Sequence, residues 1–172
     1  MQEQADRMII RVARIEDAPI LTKAEQDTAR IPGLLVSRPH ELTTESFAAK
    51  ITELAALGRY IVAEENQRII GHALLDPMRL ESTAHVFRLT IVVHPGFQNR
   101  GVGEALMRDL MNWARQAPHL QKIELLVRST NERAIRLYSR MGFIEEGRFR
   151  KRVRWVNGGF TDDLAMAWFP TK

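Results

Sequence analysis

The chain has 172 residues, 45% of them hydrophobic and 27% charged, which is the composition of one folded domain and excludes a disordered or fibrous chain. It has no cysteine, so neither a disulfide nor a cysteine-built structural zinc staples it, and a chain of this size buries about 70% of its unfolded surface without either. The formal charge of +4 is concentrated between Arg148 and Arg154, which carry five basic side chains and leave the rest of the chain close to neutral. This fits one anionic ligand or one contact face better than a general nucleic-acid binder.

No apolar run approaches the ~20 residues of a membrane span, and the opening MQEQADRMIIRVAR lacks the apolar core of a secretory signal, so the expected address is the cytoplasm. No repeat, low-complexity tract or linker divides the sequence, and a single domain over 1–172, with its core from Met8 to Trp168, is expected. Met8 to Ala13 reads as a short strand. Glu16 to Ala29 has helical spacing with Pro19 in the first turn, and Pro32-Gly33 stops it. Phe47, Ile51, Leu54 and Ala55 form one stripe of a second helix, Thr44 to Leu57, with Gly58 where a C-cap belongs. Strands follow at Tyr60 to Glu64, Arg68 to Leu75 and His85 to Val93, the first two joined by an Asn66-Gln67 hairpin turn. After a glycine-containing turn come a helix from Val102 to Gln116, a strand from Lys122 to Val127 and a helix from Asn131 to Met141. The ending is a hairpin, Phe143 to Trp155 and Thr161 to Trp168, around Asn157-Gly158-Gly159. A strand–helix–strand order requires at least one parallel pairing, so the expected class is α/β with a mixed sheet.

The turn Gln98-Asn99-Arg100-Gly101-Val102-Gly103 joins a buried strand to a helix start, whose first amides have no intrahelical acceptor. Converging N–H donors, the positive end of the helix dipole and small residues make such a turn a site for phosphate or pyrophosphate. The two common phosphate loops do not fit: GxxxxGK followed by Ser or Thr is absent, and Leu106 stands where the dinucleotide fingerprint needs its third Gly or Ala. A tight turn with close helix packing is the alternative use of the same glycines.

Two motifs go further. Val93-His94-Pro95 followed by Gln98, Gly101 and Gly103, together with Asn131, Ala134, Leu137, Tyr138, Gly142 and Phe143, resemble the GNAT superfamily of acetyl-CoA-dependent N-acetyltransferases. Its pyrophosphate loop reads Gln or Arg, xxGx, then Gly or Ala, after a strand ending V-x-P. Its later helix reads NxxAxxLYxxxGF. The resemblance runs from Met8 to Trp168 and is strongest from Phe87 onward. The ending Glu146-Gly147, Asn157-Gly158, Phe160, Asp162 and Met166 is similar to that of a subgroup including amino-acid and amine N-acetyltransferases. The resemblance implies a single-domain GNAT-like fold, a mixed, mostly antiparallel sheet of about seven strands with helices on both faces. It also implies acetyl-CoA as co-substrate, no metal, and a primary-amine acceptor.

The implied mechanism is direct attack of the amine on the thioester. No cysteine, GxSxG or spaced Ser, His and acid pattern offers a covalent route, and the five histidines, His40, His72, His85, His94 and His119, lack metal-ligand spacing. By the resemblance, Gln98, Asn99, Arg100, Gly101, Val102 and Gly103 hold the pyrophosphate, and the backbone of Ile91, Val92 and Val93, at a splayed strand end, pairs with pantetheine amides. Asn131 and Ala134 contact the cofactor, and Tyr138 protonates the departing thiolate, a phenol near pKa 10 being protonated at pH 7. Packing accounts equally for the Tyr138 ring, and an N-cap for Asn131. Relatives place a glutamate where Leu126 stands; Glu124, two residues earlier on the same strand face, is the replacement candidate for a base. Without a strong base the balance leans to an α-amine, about 10% neutral at pH 7, over a lysine amine at about 0.04%.

Phe97 and Trp113 read as packing residues, and Arg136 and Arg140 as a solvated helix face with CoA phosphates as the other use. Strand alternation places Arg148, Arg150, Arg152 and Arg154 on one side, a solvated edge or a face for a carboxylate-bearing acceptor or a homodimer partner. Three classes of function stay open: acetylation of a small amine or amino acid, acetylation of a protein or peptide N-terminus, and a non-catalytic acetyl-CoA-binding module. Intact Tyr138 and Asn131 speak against the last.

Overall fold

The computed structural model describes residues 7–171. Seven strands and four α-helices follow one another as β1 (Ile9–Val12), α1 (Ala18–Ala29), α2 (Thr44–Leu57), β2 (Arg59–Glu65), β3 (Arg68–Pro77), β4 (Val86–Val93), α3 (Val102–Gln116), β5 (Lys122–Arg128), α4 (Glu132–Arg140), β6 (Ile144–Arg154) and β7 (Phe160–Trp168). The strand order is β1-β2-β3-β4-β5-β7-β6, a mixed and mostly antiparallel α/β arrangement as the sequence predicts. The parallel pair is β4 with β5, Val86 opposite Lys122 through Arg88 opposite Glu124, and α3 is the crossover it requires. Among the described residues no helix is long and apolar enough to cross a membrane.

By its internal contacts the chain forms two compact units. The first comprises Thr90–Leu110 and the described residues up to Asp76. Its helices close on side chains the sequence supplies. Thr43 caps α2 by accepting the Ser46 N–H at 3.2 Å, and Gly58 ends it with an N–H to the Leu54 carbonyl at 3.1 Å. The predicted first helix starts later, at Ala18, because Ile15–Asp17 form a separate 3-10 turn that Asp17 holds by accepting the Arg14 N–H at 2.7 Å. Leu21 of α1, Phe47, Ile51 and Leu54 of α2, and Tyr60, Val62 and Ile69 of the strands share one core. The hairpin turn stands at Asn66 and Gln67, with φ of 50° and 61°, the left-handed pair a two-residue hairpin needs.

The second unit comprises Pro77–Leu89 and the described residues from Met111 on. Phe87, Leu120, Ile123, Leu125, Phe143 and Met166 are buried in it, and Trp113 meets Phe87 edge-on at 6.1 Å, the packing role expected for it. The basic strand departs from its expected form. Between Phe149 and Val153 the β6 register shifts against β7, and Lys151 takes φ 51°. Arg150, Lys151 and Arg152 form a bulge, so four arginines do not share one uniform face. Asp162 closes the bulge, accepting the Lys151 N–H and the Arg148 Nε–H, each at 2.7 Å.

In the first unit α3 lies close on β3 because Gly71 has no side chain. A Cβ there would stand 3.0 Å from Val102 Cγ1, 3.1 Å from the Val92 carbonyl oxygen and 3.4 Å from Leu106 Cδ1. The variant Gly71→Ala is expected to lose roughly 1–2 kcal/mol in urea unfolding, overpacking exceeding what the stiffer unfolded chain returns. Unchanged stability would show that the strand and helix separate freely.

Candidate functional site

The glycine turn in the first unit hangs from His94, the residue after β4. His94 gives its backbone N–H to the Ile70 carbonyl at 2.9 Å and takes the Phe97 N–H on its own carbonyl at 3.1 Å. Its ring makes two further bonds, described below. From this fixed point Gly96 (φ 87°), Asn99 (φ 64°) and Gly101 (φ 77°) turn the chain, and Gln98 Oε1 accepts the Gly96 N–H at 3.0 Å. Arg100 is held back by Glu65 at 2.9 Å, and the Arg68 and Arg100 guanidinium groups stand 4.8 Å and 5.4 Å from the Phe97 ring centre. Of the residues expected to bind, Gln98 and Arg100 thus build the turn with their side chains. The first i to i−4 bond of α3 runs from the Ala105 N–H to the Gly101 carbonyl at 3.0 Å, which places the Val102 and Gly103 amides ahead of the helix ladder. Nothing lies within 4 Å of where a Gly101 Cβ would be, and an L side chain would be strained at its φ. Val92 is buried, while Ile91 and Val93 are partly open.

Behind the turn lies a buried polar chain. His94 Nδ1 stands 3.1 Å from the Ile69 carbonyl, which only accepts, so the proton is on Nδ1. Burial, and then the nearby His72, push the His94 ring down to about 4, so at neutral pH its Nε2 is an acceptor. His72 Nδ1, 3.1 Å away, is therefore the donor. His72 Nε2 then faces Glu25 Oε1 of α1 at 2.6 Å, a contact that requires one proton between ring and carboxyl. The His72 ring is fully buried, with the Phe47 and Tyr60 rings at 6.3 Å and 5.9 Å. No local spacing signals this trio, whose members come from α1, β3 and the residue after β4. Among the described residues no three His, Asp or Glu side chains are placed to hold a metal ion.

The second unit carries the other expected residues. Asn131 caps α4, its side-chain oxygen accepting the Ala134 N–H at 3.1 Å, which leaves its amide N–H groups for other partners. Tyr138 is buried, its ring 5.8 Å from Phe143, and burial pushes the phenol up to about 12 against the opposing charge of Arg128. Tyr138 is therefore a packed side chain whose phenol is protonated at neutral pH. Glu124 has Arg88 and Lys122 at 3.6 Å, one on each oxygen, so the candidate base stands in an ion cluster. Arg136 pairs with Glu132 at 3.2 Å on the solvated face of α4. Arg128 and Asp163, which the sequence reading did not single out, carry buried polar atoms without hydrogen-bond partners.

Comparisons with known proteins agree with these motifs. The model of the "Acetyltransferase (GNAT) family" matches residues 22–143. The L-amino acid N-acetyltransferase AaaT of Escherichia coli is 34% identical over 113 residues, 63% of this chain and 67% of that protein. The N-alpha-acetyltransferase RimI of Mycobacterium tuberculosis is 31% identical over 99 residues, 58% of this chain and 60% of that one. The match thus spans about two thirds of the first relative's length and three fifths of the second's. A solved structure of yncA from Salmonella typhimurium, with its cofactor acetyl-CoA, superposes with TM-score 0.86 at 22% identity, covering 96% of this chain and 95% of that one, a likeness of fold.

The His94 ring gives a pH test. Its folded value of about 4 lies below the ordinary 6.5, so between the two the unfolded chain takes up a proton that the folded chain refuses. The stabilisation is complete above pH 6.5 and declines on acidification, by roughly 3 kcal/mol in all. Urea unfolding at pH 7 and pH 4.5 should show this part of the decline in the intact protein and not in His94→Asn, which keeps an N–H for the Ile69 carbonyl. Equal acid sensitivity of the two proteins would contradict it.

Proposed function

Because the chain belongs to the acetyltransferase (GNAT) family, we propose that it moves an acetyl group from acetyl-CoA to a primary amine, the acceptor being a small amine or amino acid. The observation that carries this reading is the turn hung on His94. A helix start at Val102 and Gly103, a left-handed Gly101 and open space over its Cα fit a pyrophosphate that must approach the backbone. In this reading the amides of Gly101, Val102 and Gly103 hold that group, with Asn99 shaping the turn. The backbone of Ile91, Val92 and Val93 pairs with the pantetheine amides, and Asn131 adds a contact through its free amide N–H groups beside Ala134.

Acetyl-CoA supplies an activated acyl carbon. The chain's part is to hold it and to manage two protons. Tyr138, protonated because burial pushes its phenol up to about 12, gives a proton to the sulfur as the C–S bond breaks and the amine–carbonyl bond forms. The amine's own proton must leave before attack. Glu124, held between two cations, is less suited to take it than a carboxylate free of partners, and an α-amine asks least of a base. The E. coli relative acts by name on L-amino acids, which supports a small acceptor. The likeness to a relative named N-alpha-acetyltransferase carries a second reading, a peptide N-terminus. Loss of activity when a peptide is shortened to a single amino acid would favour that one.

Acetyl-CoA is expected to raise the melting temperature of the intact protein, and Gly103→Leu to abolish the rise by filling the approach to the helix amides. Tyr138→Phe is expected to lower kcat about a hundredfold with the melting temperature unchanged, as loss of a general acid does. A variant as active as the intact protein would remove Tyr138 from the chemistry. Absence of any shift with acetyl-CoA would overturn the reading as a whole.

A further inference from the structure

On one face of the second unit's strands, charge and open apolar surface meet. Arg128, at the end of β5, stands opposite Asp163 of β7 in antiparallel register, so both side chains leave the same face with their Cβ atoms about 5 Å apart. Yet Arg128 Nη1 and Asp163 Oδ1 are both buried and neither has a hydrogen-bond partner. Asp163 as a residue is only 4% exposed. A buried charge left unpaired is among the costlier features a fold can keep, and two of opposite sign side by side point to a partner from outside the chain. The Arg128 charge is also felt at the Tyr138 phenol.

The same face continues as an apolar strip. Leu126 stands opposite Ala165, Ala165 opposite Gly147, and Phe149 opposite Asp163. Leu126 and Phe149 are 43% and 48% exposed, large apolar side chains left open beside residues too small to cover them. Pockets for small molecules combine these elements: an apolar floor with a few polar groups at one end.

We propose that this face is the acceptor subsite and takes an α-amino acid, its carboxylate on Arg128, its amino group on Asp163, which takes up the ammonium proton that must leave before attack, and an apolar side chain along Leu126 and Phe149. The inference rests on the acetyltransferase reading and narrows its acceptor. A guanidinium is suited to a carboxylate because its N–H groups pair with both oxygens. An α-amino acid places its two charges on either side of one carbon, the spacing that cross-strand neighbours offer. A polyamine has no group for Arg128, and an amino-acid amide leaves it buried without its charge partner.

The test is a matched series, L-leucine, L-leucinamide and isoamylamine, each assayed for thiol release from acetyl-CoA by the full chain. In the intact protein kcat/KM should fall at least tenfold from the amino acid to the amide and again to the amine. Arg128→Gln should level the series by lowering leucine most, leucinamide less and isoamylamine not at all, and Asp163→Asn should lower all three. Isoamylamine used as well as leucine overturns the proposal, and so does an Arg128→Gln variant that lowers all three alike, since the two residues then serve only the fold. Turnover of spermidine or a peptide but of none of the three also overturns it while leaving the transferase reading in place. No thermal shift with acetyl-CoA overturns both.

Discussion

The Ile69 carbonyl accepts the Nδ1 proton of His94, and this bond sets the direction of every other bond in the buried chain that ends at Glu25. With Nδ1 committed, Nε2 must accept, His72 must donate, and one proton must sit between His72 and the Glu25 carboxyl. The chain ties α1 and β3 to the residue from which the glycine turn hangs. A turn that presents backbone amides to an anion has to be held in place by something other than those amides, which are wanted for the ligand. Here the holding is done from behind, by a ring that neutral pH keeps in one tautomer.

The two units deal with polar groups in contrasting ways. In the first, the trio shares its protons internally and the turn's own side chains, Gln98 and Arg100, are spent on holding it. In the second, Asp162 settles the β6 bulge by taking two donors, whereas its neighbour Asp163 is left without a partner for one buried oxygen. Adjacent aspartates on one strand point to opposite faces, so one serves the edge strand and the other the face where Arg128 stands.

The sequence was a good guide wherever the signal was local. The apolar stripe and Gly58 marked α2, the glycine turn marked the start of α3, and Asn66-Gln67 marked the hairpin turn, whereas the Thr43 cap of α2 came only from the structure. Asn131 was readable as a cap because capping depends on its own side chain and the next three residues. The uniform arginine face failed because a period of two assumes an unbroken strand, and the bulge at Lys151 breaks it. Nothing local forecast the bulge, since the group that closes it, Asp162, arrives from β7. The histidine trio and the Arg128–Asp163 pair were hidden for the same reason. His72 and Glu25 are 47 residues apart in sequence and meet only when α1 lies on β3. The family motifs located the turn and Tyr138 but were silent on what holds the one and what surrounds the other.

The central claim is that the amides opening α3, carried on the turn below His94, receive acetyl-CoA. Backbone amide NMR shifts during a titration with acetyl-CoA test it most directly. The account predicts the largest shifts at Gly101, Val102 and Gly103, with a second group at Ile91 to Val93. Shifts confined to other residues, or none at saturating acetyl-CoA, would contradict it.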